Sequence, residues 1–382
     1  MKTRFPIAMA CLATATLVSA TPPEISNVTA KQRYPWNGKV DITYTLTGDM
    51  TAVLPVVLFV TASNLVDNTT YVAVTSALSG DTGTAQGLHH VIWDMDAQGL
   101  RVKSTNVVFE VTYATAEYCV IDLSGGASAL SYPISYLADV PVGGWPHEYK
   151  TTKLVLRLIE PGTFMMNGLY STTLTKPFYC GVFEVTQKQY ELVTGSNTCS
   201  STSYGRGDNF PVHFVSYNMI RGSSTGAGWP GSTAVDGSSF LGKLRARTGI
   251  DFDLPTEAQW EYACRTGTTT SYSYGNDADG NYMVYISTSS LKSHVVGTKL
   301  PNAWGLYDMH GNVLEWCRDW YGSLSSGVTD PVGSPSGRSR VIRGGSWLCD
   351  ADSCTSSYRN GLSPSGYNSD DGFRLVITLP NE

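Results

Sequence analysis

The chain has 382 residues, 42% of them hydrophobic and 15% charged, which is enough for two domains with packed cores and excludes a mainly disordered protein. Its 32 acidic residues outnumber 26 basic ones, for a net charge of -6. Such a balance provides no positively charged surface for DNA, RNA or anionic lipid, so we expect no nucleic-acid partner.

The first 20 residues have the pattern of a secretory signal peptide. Lys2 and Arg4 precede an apolar run over residues 7–18, and small side chains follow it at Ser19 and Ala20. The run is too short and too interrupted to span a bilayer, and no later segment is apolar enough over about 20 residues. We therefore expect a secreted protein, extracellular or periplasmic, without a transmembrane segment.

The chain has eight cysteines, and all but Cys11 follow the predicted signal peptide. In an oxidising compartment the remaining cysteines favour disulfides, and their odd number leaves at least one sulfur for a free thiol, a metal or an intermolecular bond. Spacing alone does not give the connectivity. The simplest interpretation is a structural role for most of them, namely Cys119, Cys180, Cys199, Cys264 and Cys317.

Residues 21–118 have the pattern of a β-domain. Apolar and polar side chains alternate over residues 40–46 and again over residues 107–113, so that each strand buries one face. Residues 56–60 form a continuous apolar run, which suits a strand buried on both faces, and residues 91–93 give another short candidate. Turn residues separate these runs. The pattern predicts a small antiparallel sandwich of the immunoglobulin or fibronectin type III kind.

The composition changes to Gly, Ser and Pro between residues 124 and 149, which predicts a linker at residues 119–150 that packs against the rest of the protein. A second domain follows over residues 151–382, and an apolar run at residues 154–159 predicts its first strand.

Two capping boxes predict helices in this second domain. Thr186 is followed three residues later by Gln189, and Thr256 by Gln259; in each pair the hydroxyl caps a backbone N–H and the amide returns to the N–H of the threonine. A serine provides the start of a third helix, and three glycines provide the stop signals. The three predicted helices begin after Thr186, Ser239 and Thr256 and end near Gly195, Gly249 and Gly267.

After Gly267 the chain has no sustained helical or strand period for about a hundred residues, and such a stretch stays compact only when side-chain packing, a metal or disulfides hold it.

Five short motifs occur in order in the second domain: FEVTQKQY at residues 183–190, LPTEAQWEYACR at 254–265, NAWGLYDMHGNVLEW at 302–316, RGGSW at 343–347 and GFR at 372–374. Together they resemble the formylglycine-generating enzyme family, also called the sulfatase-modifying factors. The resemblance implies an α+β, loop-rich fold related to the C-type lectins, preceded here by the predicted immunoglobulin-like sandwich. Enzymes of this family oxidise a cysteine of a client sulfatase to formylglycine, using dioxygen and a copper(I) ion held by two cysteine thiolates.

The resemblance places the copper-binding pair at Cys349 and Cys354 and an active-site serine at Ser346. Thiolate sulfur is the ligand that Cu(I) prefers, and the ligands must lose their protons to bind. On this interpretation the three residues carry catalysis and copper(I) is the cofactor. The alternative is a disulfide, either between Cys349 and Cys354 or with a partner such as Cys317.

Other side chains near the motifs depart from the family pattern or from a metal-binding pattern. Leu314 stands where the enzymes have an aromatic residue, and Asp370 stands where an asparagine holds the client peptide. Asp350 and Asp352 lie between the two thiols, and negative charge beside a thiol disfavours the thiolate unless a metal offsets it. The six histidines, including His310, have no metal-ligand spacing and are expected to be packing or surface residues.

The resemblance also implies a calcium ion in the loop at residues 308–315. Its ligands would be two carboxylates and two backbone carbonyls, and such oxygen donors suit a hard cation. The alternative is an internal salt bridge between the second carboxylate and an arginine. The four predicted ligands are Asp308, Gly311, Val313 and Glu315, and the candidate arginines are Arg343 and Arg359.

The sequence leaves two functions open. One is a copper-dependent oxidase that converts a cysteine of an exported, sulfatase-type client. The other is a secreted binding or structural module that presents the same loops to a protein or glycan at the cell exterior; the 22 Tyr and 9 Trp residues suit such an interface. The predicted sandwich is typical of domains that hold another module away from a surface, which favours the second function.

Overall fold

The computed structural model describes residues 24–33, 37–47, 56–66, 69–73, 77–81, 86–100 and 106–379. The predicted signal peptide lies outside these residues. The described residues form two compact units, the first within residues 24–47 and 58–114 and the second from residues 56–57 and 115–379. No helix in the described part of the chain is long and apolar enough to cross a membrane.

The first unit is built from β-strands in two sheets. One sheet has the order β1-β2-β6-β5 and the other the order β4-β3-β7. The pairings of β1 with β2, β2 with β6, β5 with β6 and β3 with β4 are antiparallel. The strands are β1 (Glu24–Gln32), β2 (Lys39–Thr47), β3 (Val56–Asn64), β4 (Thr69–Val72), β5 (Leu78–Gly80), β6 (Gly87–Asp94) and β7 (Val107–Thr115).

The alternation of side chains in β2 explains how this unit builds its core. Ile42, Tyr44 and Leu46 point to one face and are fully buried, and Val60 of the other sheet and Trp93 of β6 belong to the same cluster. The predicted strands of this region are confirmed. The more specific assignment to an immunoglobulin-like sandwich stays a prediction.

The second unit consists mostly of short strands, with few helices. Its sheets have the orders β14-β20-β13-β10-β8-β9, β11-β12-β16 and β18-β17-β15-β19. The strands are β8 (Tyr118–Asp122), β9 (Ile134–Leu137), β10 (Lys153–Ile159), β11 (Gly162–Met166), β12 (Tyr170–Leu174), β13 (Phe178–Gly181), β14 (Phe252–Asp253), β15 (Leu314–Trp320), β16 (Val328–Thr329), β17 (Arg340–Arg343), β18 (Arg359–Leu362), β19 (Asp371–Gly372) and β20 (Val376–Thr378); the helices are α1 (Gln187–Thr194), α2 (Tyr217–Arg221), α3 (Phe240–Thr248) and α4 (Glu257–Arg265).

The segment predicted as a linker, residues 119–150, is part of the second unit. β8 pairs with β10, with Val120 opposite Val155, and also with β9, so it lies inside the six-stranded sheet. Four of its five residues are buried. The glycine-rich composition that suggested a linker belongs to the loops between these strands, and the unit boundary falls at residues 114 and 115 instead.

The capping boxes form as predicted and fix the starts of α1 and α4. The Thr186 hydroxyl accepts from the N–H of Gln189 and the Gln189 side chain accepts from the N–H of Thr186, and Thr256 and Gln259 repeat this arrangement. α3 begins after Ser239 and ends at Gly249 as predicted. α4 ends one residue before its predicted glycine, and α2 was not predicted because five residues are too short to show a helical period.

Among the described residues after α4 there is no further α-helix, and buried arginine–glutamate pairs stabilise this region. Each pair joins elements that are distant in sequence, two of them linking α4 to β17 and β18, and both partners are largely removed from solvent. The sequence indicated that side-chain packing, a metal or disulfides must hold this region together. These ion pairs are side-chain contacts of that kind. They are Glu257 with Arg359, Glu261 with Arg343 and Glu315 with Arg374.

We predict that Thr256→Ala lowers the free energy of unfolding of the second unit by about 1 kcal/mol, because the first turn of α4 loses its cap. Thr256→Ser keeps the hydroxyl and should lose much less. Urea unfolding followed by circular dichroism measures both variants, and equal stability of the alanine variant and the parent protein would contradict the prediction.

Candidate functional site

The predicted cysteine pair lies in the loop that follows β17. Gly344 and Gly345 have φ angles of 92° and 71°, in the left-handed region that glycine adopts without strain. A Cβ atom at Gly345 would lie 2.5 Å from the sulfur of Cys354. The second glycine of the RGGSW motif is therefore required for the backbone to approach this thiol.

This loop brings the three predicted catalytic residues together. Sγ of Cys349 lies 3.3 Å from Oγ of Ser346, and Cys349 and Cys354 pack in one cluster with Tyr272. Cys354 is fully buried, whereas Cys349 is partly exposed, so solvent reaches one thiol of the pair. Both are free thiols, and the alternative disulfides are not formed in the structure.

Burial and nearby negative charge favour the protonated form of both thiols. The pKa of Cys349 is raised by burial and by the carboxylates of Asp370 and Asp350, although the hydrogen bond with Ser346 lowers it. The pKa of Cys354 is raised by burial and then by the neighbouring Cys349. The pair therefore carries little thiolate at neutral pH unless a cation offsets the charge.

Ser346 connects the exposed thiol to a buried carboxylate. Its hydroxyl donates a hydrogen bond of 2.6 Å to Oδ2 of Asp370, which leaves the serine oxygen to accept from Cys349. Asp370 is 8% exposed, and burial raises the pKa of its carboxyl group. The position that the family uses to hold a client is thus in direct contact with the predicted active-site serine.

His310 positions the backbone of Cys354, a role that the sequence did not suggest. The N–H of Ser273 donates to Nε2 of His310 at 3.1 Å, so Nδ1 carries the proton and donates to the carbonyl of Cys354 at 2.8 Å. Burial lowers the pKa of His310 to about 4, which keeps the ring neutral. The hydroxyl of Tyr272 donates to the carbonyl of Ala351 at 2.9 Å and holds the same turn. The only sign of this role in the sequence was that His310 lies inside the motif at residues 302–316.

The two carboxylates predicted to bind calcium have internal partners. Glu315 accepts two hydrogen bonds of 2.6 Å from Arg374 and one of 2.7 Å from Nε1 of Trp260. This arginine is neither of the two that the sequence suggested as partners. Asp308 accepts from the N–H of Gly297 at 2.6 Å. Within the described residues, no group of three or more His, Cys, Asp or Glu side chains is placed to hold a metal ion.

A buried carboxylate absent from the predictions holds the 308–315 turn. Glu184 accepts from Nδ2 of Asn312 at 2.6 Å and from the N–H of Val313 at 3.0 Å. Its pKa is raised by burial and then by Asp308. The backbone carbonyls of Gly311 and Val313, the other two predicted ligands, therefore lie in a turn that hydrogen bonds already fix. This geometry does not fit a calcium ion held by Glu315, and calcium at this turn stays a prediction.

The five cysteines outside the site are buried free thiols rather than the expected disulfides. They pack among apolar side chains in two core clusters. A buried thiol of this kind acts as a small hydrophobic residue. Cys119 and Cys199 belong to one cluster and Cys180, Cys264 and Cys317 to the other.

Comparison with known proteins defines the class of this chain. Residues 146–379, more than half of the chain, match the family model described as the sulfatase-modifying factor enzyme 1-like domain. The chain therefore belongs to the formylglycine-generating enzyme, or sulfatase-modifying factor, family.

Individual relatives match shorter parts of the chain. It is 34% identical over 148 residues to the formylglycine-generating enzyme of Streptomyces coelicolor, covering 32% of this chain and 46% of that protein. It is 36% identical over 148 residues to the serine/threonine-protein kinase pkn1 of Chlamydia caviae, covering 37% of this chain and 24% of that protein. The match thus spans less than half of either relative. Among solved structures, Treponema denticola variable protein 1 aligns with a TM-score of 0.49 at 28% identity, over 59% of this chain and 95% of that one.

We predict that, of the seven cysteines that the structure describes, Cys349 is the first to be alkylated in the native protein, because the other six thiols are buried. Since its pKa is raised above the usual value, the thiolate fraction and the alkylation rate should keep rising with pH beyond the ordinary thiol range. Iodoacetamide labelling across pH, read by peptide mass spectrometry, measures this. Rapid labelling of a core cysteine such as Cys180, or a rate that levels off near neutral pH, would contradict it.

We predict that Glu315→Gln lowers the free energy of unfolding by about 3–5 kcal/mol, because the guanidinium of Arg374 is left buried without its counter-charge. Because Arg374 already pairs with the Glu315 carboxylate, any rise in unfolding temperature that calcium causes in the parent protein should be kept in Glu315→Gln. Calorimetry with calcium and with a chelator tests both statements. A calcium-dependent rise in the parent protein that Glu315→Gln abolishes would show that the ion binds there after all.

Proposed function

We propose that the second unit is a copper-dependent oxidase that converts a cysteine of a polypeptide client, of the sulfatase type, to formylglycine. The observation that carries this proposal is the placement of Cys349 and Cys354 as two free thiols in one cluster, with the Ser346 hydroxyl 3.3 Å from the exposed one. Membership of the formylglycine-generating enzyme family supports it.

The residues present fit copper(I). Two thiols without a disulfide are the soft donors that this ion prefers, and a cation would supply the charge that both thiols need to lose their protons. Cys349 and Cys354 would hold it. When bound, copper(I) supplies the one-electron redox chemistry through which dioxygen oxidises a thiol.

The protein's own residues position and shield this site. His310 holds the carbonyl of the buried ligand Cys354, so that thiol has a fixed place in the core. Ser346 orients the thiol of Cys349 and is itself oriented by Asp370. The partial exposure of Cys349 provides the side from which a client thiol approaches.

A binding module without redox chemistry is the second candidate. It is favoured by the carboxylates of Asp350 and Asp370, which raise the pKa of Cys349 and so leave the pair inert without a metal. In this role the same loops would bind a protein or glycan at the cell exterior. Both candidates include export of the protein, which N-terminal sequencing of the mature chain tests through cleavage after residue 20.

The proposal predicts that the anaerobic protein binds one equivalent of copper(I) in competition with a chelator. Cys349→Ser and Cys354→Ser should each weaken this binding by about 100-fold or more, because each removes one of two ligands. Cys199→Ser is the matched control, since it removes a buried thiol outside the site. Equal copper affinity in all four proteins would contradict the copper site.

The copper-loaded protein should also convert the cysteine of a sulfatase-derived peptide to an aldehyde, detected by hydrazide labelling and mass change. Loss of this product in Cys349→Ser but not in Cys199→Ser supports the oxidase. Peptide binding without any aldehyde from a copper-loaded protein would leave the binding module as the function.

A further inference from the structure

A cavity of about 120 Å³ lies where α4 begins, between the end of β15 and the loop at residues 322–334. Apolar side chains of Met166, Trp320 and Leu324 form part of its wall. None of the three residues of the cysteine site lines it. Its lining side chains come from separate elements, β11, β15 and the loop, so the folded unit builds the cavity.

Of the two carboxylates that line this cavity, one forms an ion pair with a lining arginine and the other does not. Glu257 accepts two hydrogen bonds from Arg359, of 2.7 and 2.6 Å, and the two charges neutralise each other. Asp319 is 2% exposed, and its Oδ2 accepts from the N–H of Glu257 at 2.9 Å. Its Oδ1 accepts no hydrogen bond from any residue that the structure describes. The side chains that line the cavity therefore carry one more negative charge than positive charges, and the two arginines that also act on Asp319, Arg318 and Arg340, lie outside the lining.

A buried carboxylate costs free energy unless a hydrogen-bond donor or a cation compensates it. The backbone N–H of Glu257 compensates one oxygen only. Burial and the neighbouring Glu257 raise the pKa of Asp319 to about 7, although the hydrogen bond from Glu257 and the charges of Arg318 and Arg340 act in the opposite direction. A positively charged hydrogen-bond donor in the cavity would satisfy both the charge and the remaining oxygen.

We propose that this cavity binds a primary ammonium group carried on a short aliphatic chain, with Asp319 as its counter-ion. The ammonium supplies charge and donors to the carboxylate, and the methylene groups lie against Met166, Trp320 and Leu324. A dry cavity of about 150 Å³ holds a benzene molecule, so this one accommodates about five non-hydrogen atoms. That is the size of a butylammonium ion and of a lysine side chain from its Cβ outward.

The test is calorimetric titration of the full-length protein at about pH 8, where a carboxyl group with a pKa near 7 is mostly ionised. The ligands are n-butylammonium, the uncharged n-butanol and the anionic butyrate. We expect n-butylammonium to bind at least about tenfold more tightly than n-butanol, the typical effect of a hydrogen bond to a charged group. Butyrate should not bind. Equal binding of the amine and the alcohol, or no binding of the amine, overturns the proposal.

Asp319→Asn should remove the preference for the amine over the alcohol. Because Asp319 also caps α4, a second variant keeps the test valid if this one unfolds. Ser325→Trp narrows the mouth of the cavity from an exposed loop position and leaves Asp319 intact. Ser336→Trp, on the same surface but not in the cavity wall, is its matched control. Unchanged amine binding in Ser325→Trp overturns the proposal, as does equal loss in Ser336→Trp.

A final pair of titrations identifies the source of the ammonium group. Nα-acetyl-lysine N-methylamide represents a lysine side chain of a polypeptide, and n-butylammonium represents a free alkylamine. Binding of both supports a lysine side chain as the ligand, whereas binding of the free amine alone supports a small molecule. The outcome does not depend on copper, so it succeeds or fails separately from the proposed oxidase.

Discussion

The buried pair of Glu315 and Arg374 is the interaction on which the second unit depends most. Its two hydrogen bonds of 2.6 Å join β15 to the segment that follows β19, and Trp260 ties the same carboxylate to α4. Glu315 is the last residue of the turn at residues 308–315, so the pair fixes the end of that turn. His310 projects from the turn and holds the backbone of Cys354. The ion pair and the cysteine site are thus parts of one connected arrangement.

The surroundings of the cysteine site disfavour the ionised form of its two thiols. Its two thiols are close together, largely removed from water and next to the carboxylates of Asp350 and Asp370. Such surroundings oppose thiolate formation, so the unligated pair is a poor nucleophile and a poor reductant. A soft cation reverses this balance by compensating the charge of the thiolates. The protein is therefore built so that the reactivity of the pair depends on what it binds.

Local signals in the sequence were sufficient for some parts of the structure and insufficient for others. The capping boxes of α1 and α4 and the alternation in β2 follow from neighbouring residues, and they form as predicted. Glu184 and His310 act through contacts with residues far away in sequence, which no local pattern reveals. In the segment predicted as a linker that packs against the protein, glycine-rich loops hid two short strands, which pair with each other and, through β8, with β10. The family motifs located the cysteine pair, but Arg374 could be identified as the partner of Glu315 only from the folded structure.

The folded second unit holds Cys349 and Cys354 in one cluster as free thiols. Dibromobimane tests it most directly, because this reagent becomes fluorescent on bridging two thiols that lie within a few ångströms of each other. The native protein should form one bridge, and peptide mapping should locate it between Cys349 and Cys354. A native protein that forms no bridge, or one that joins a different pair of cysteines, would contradict the account.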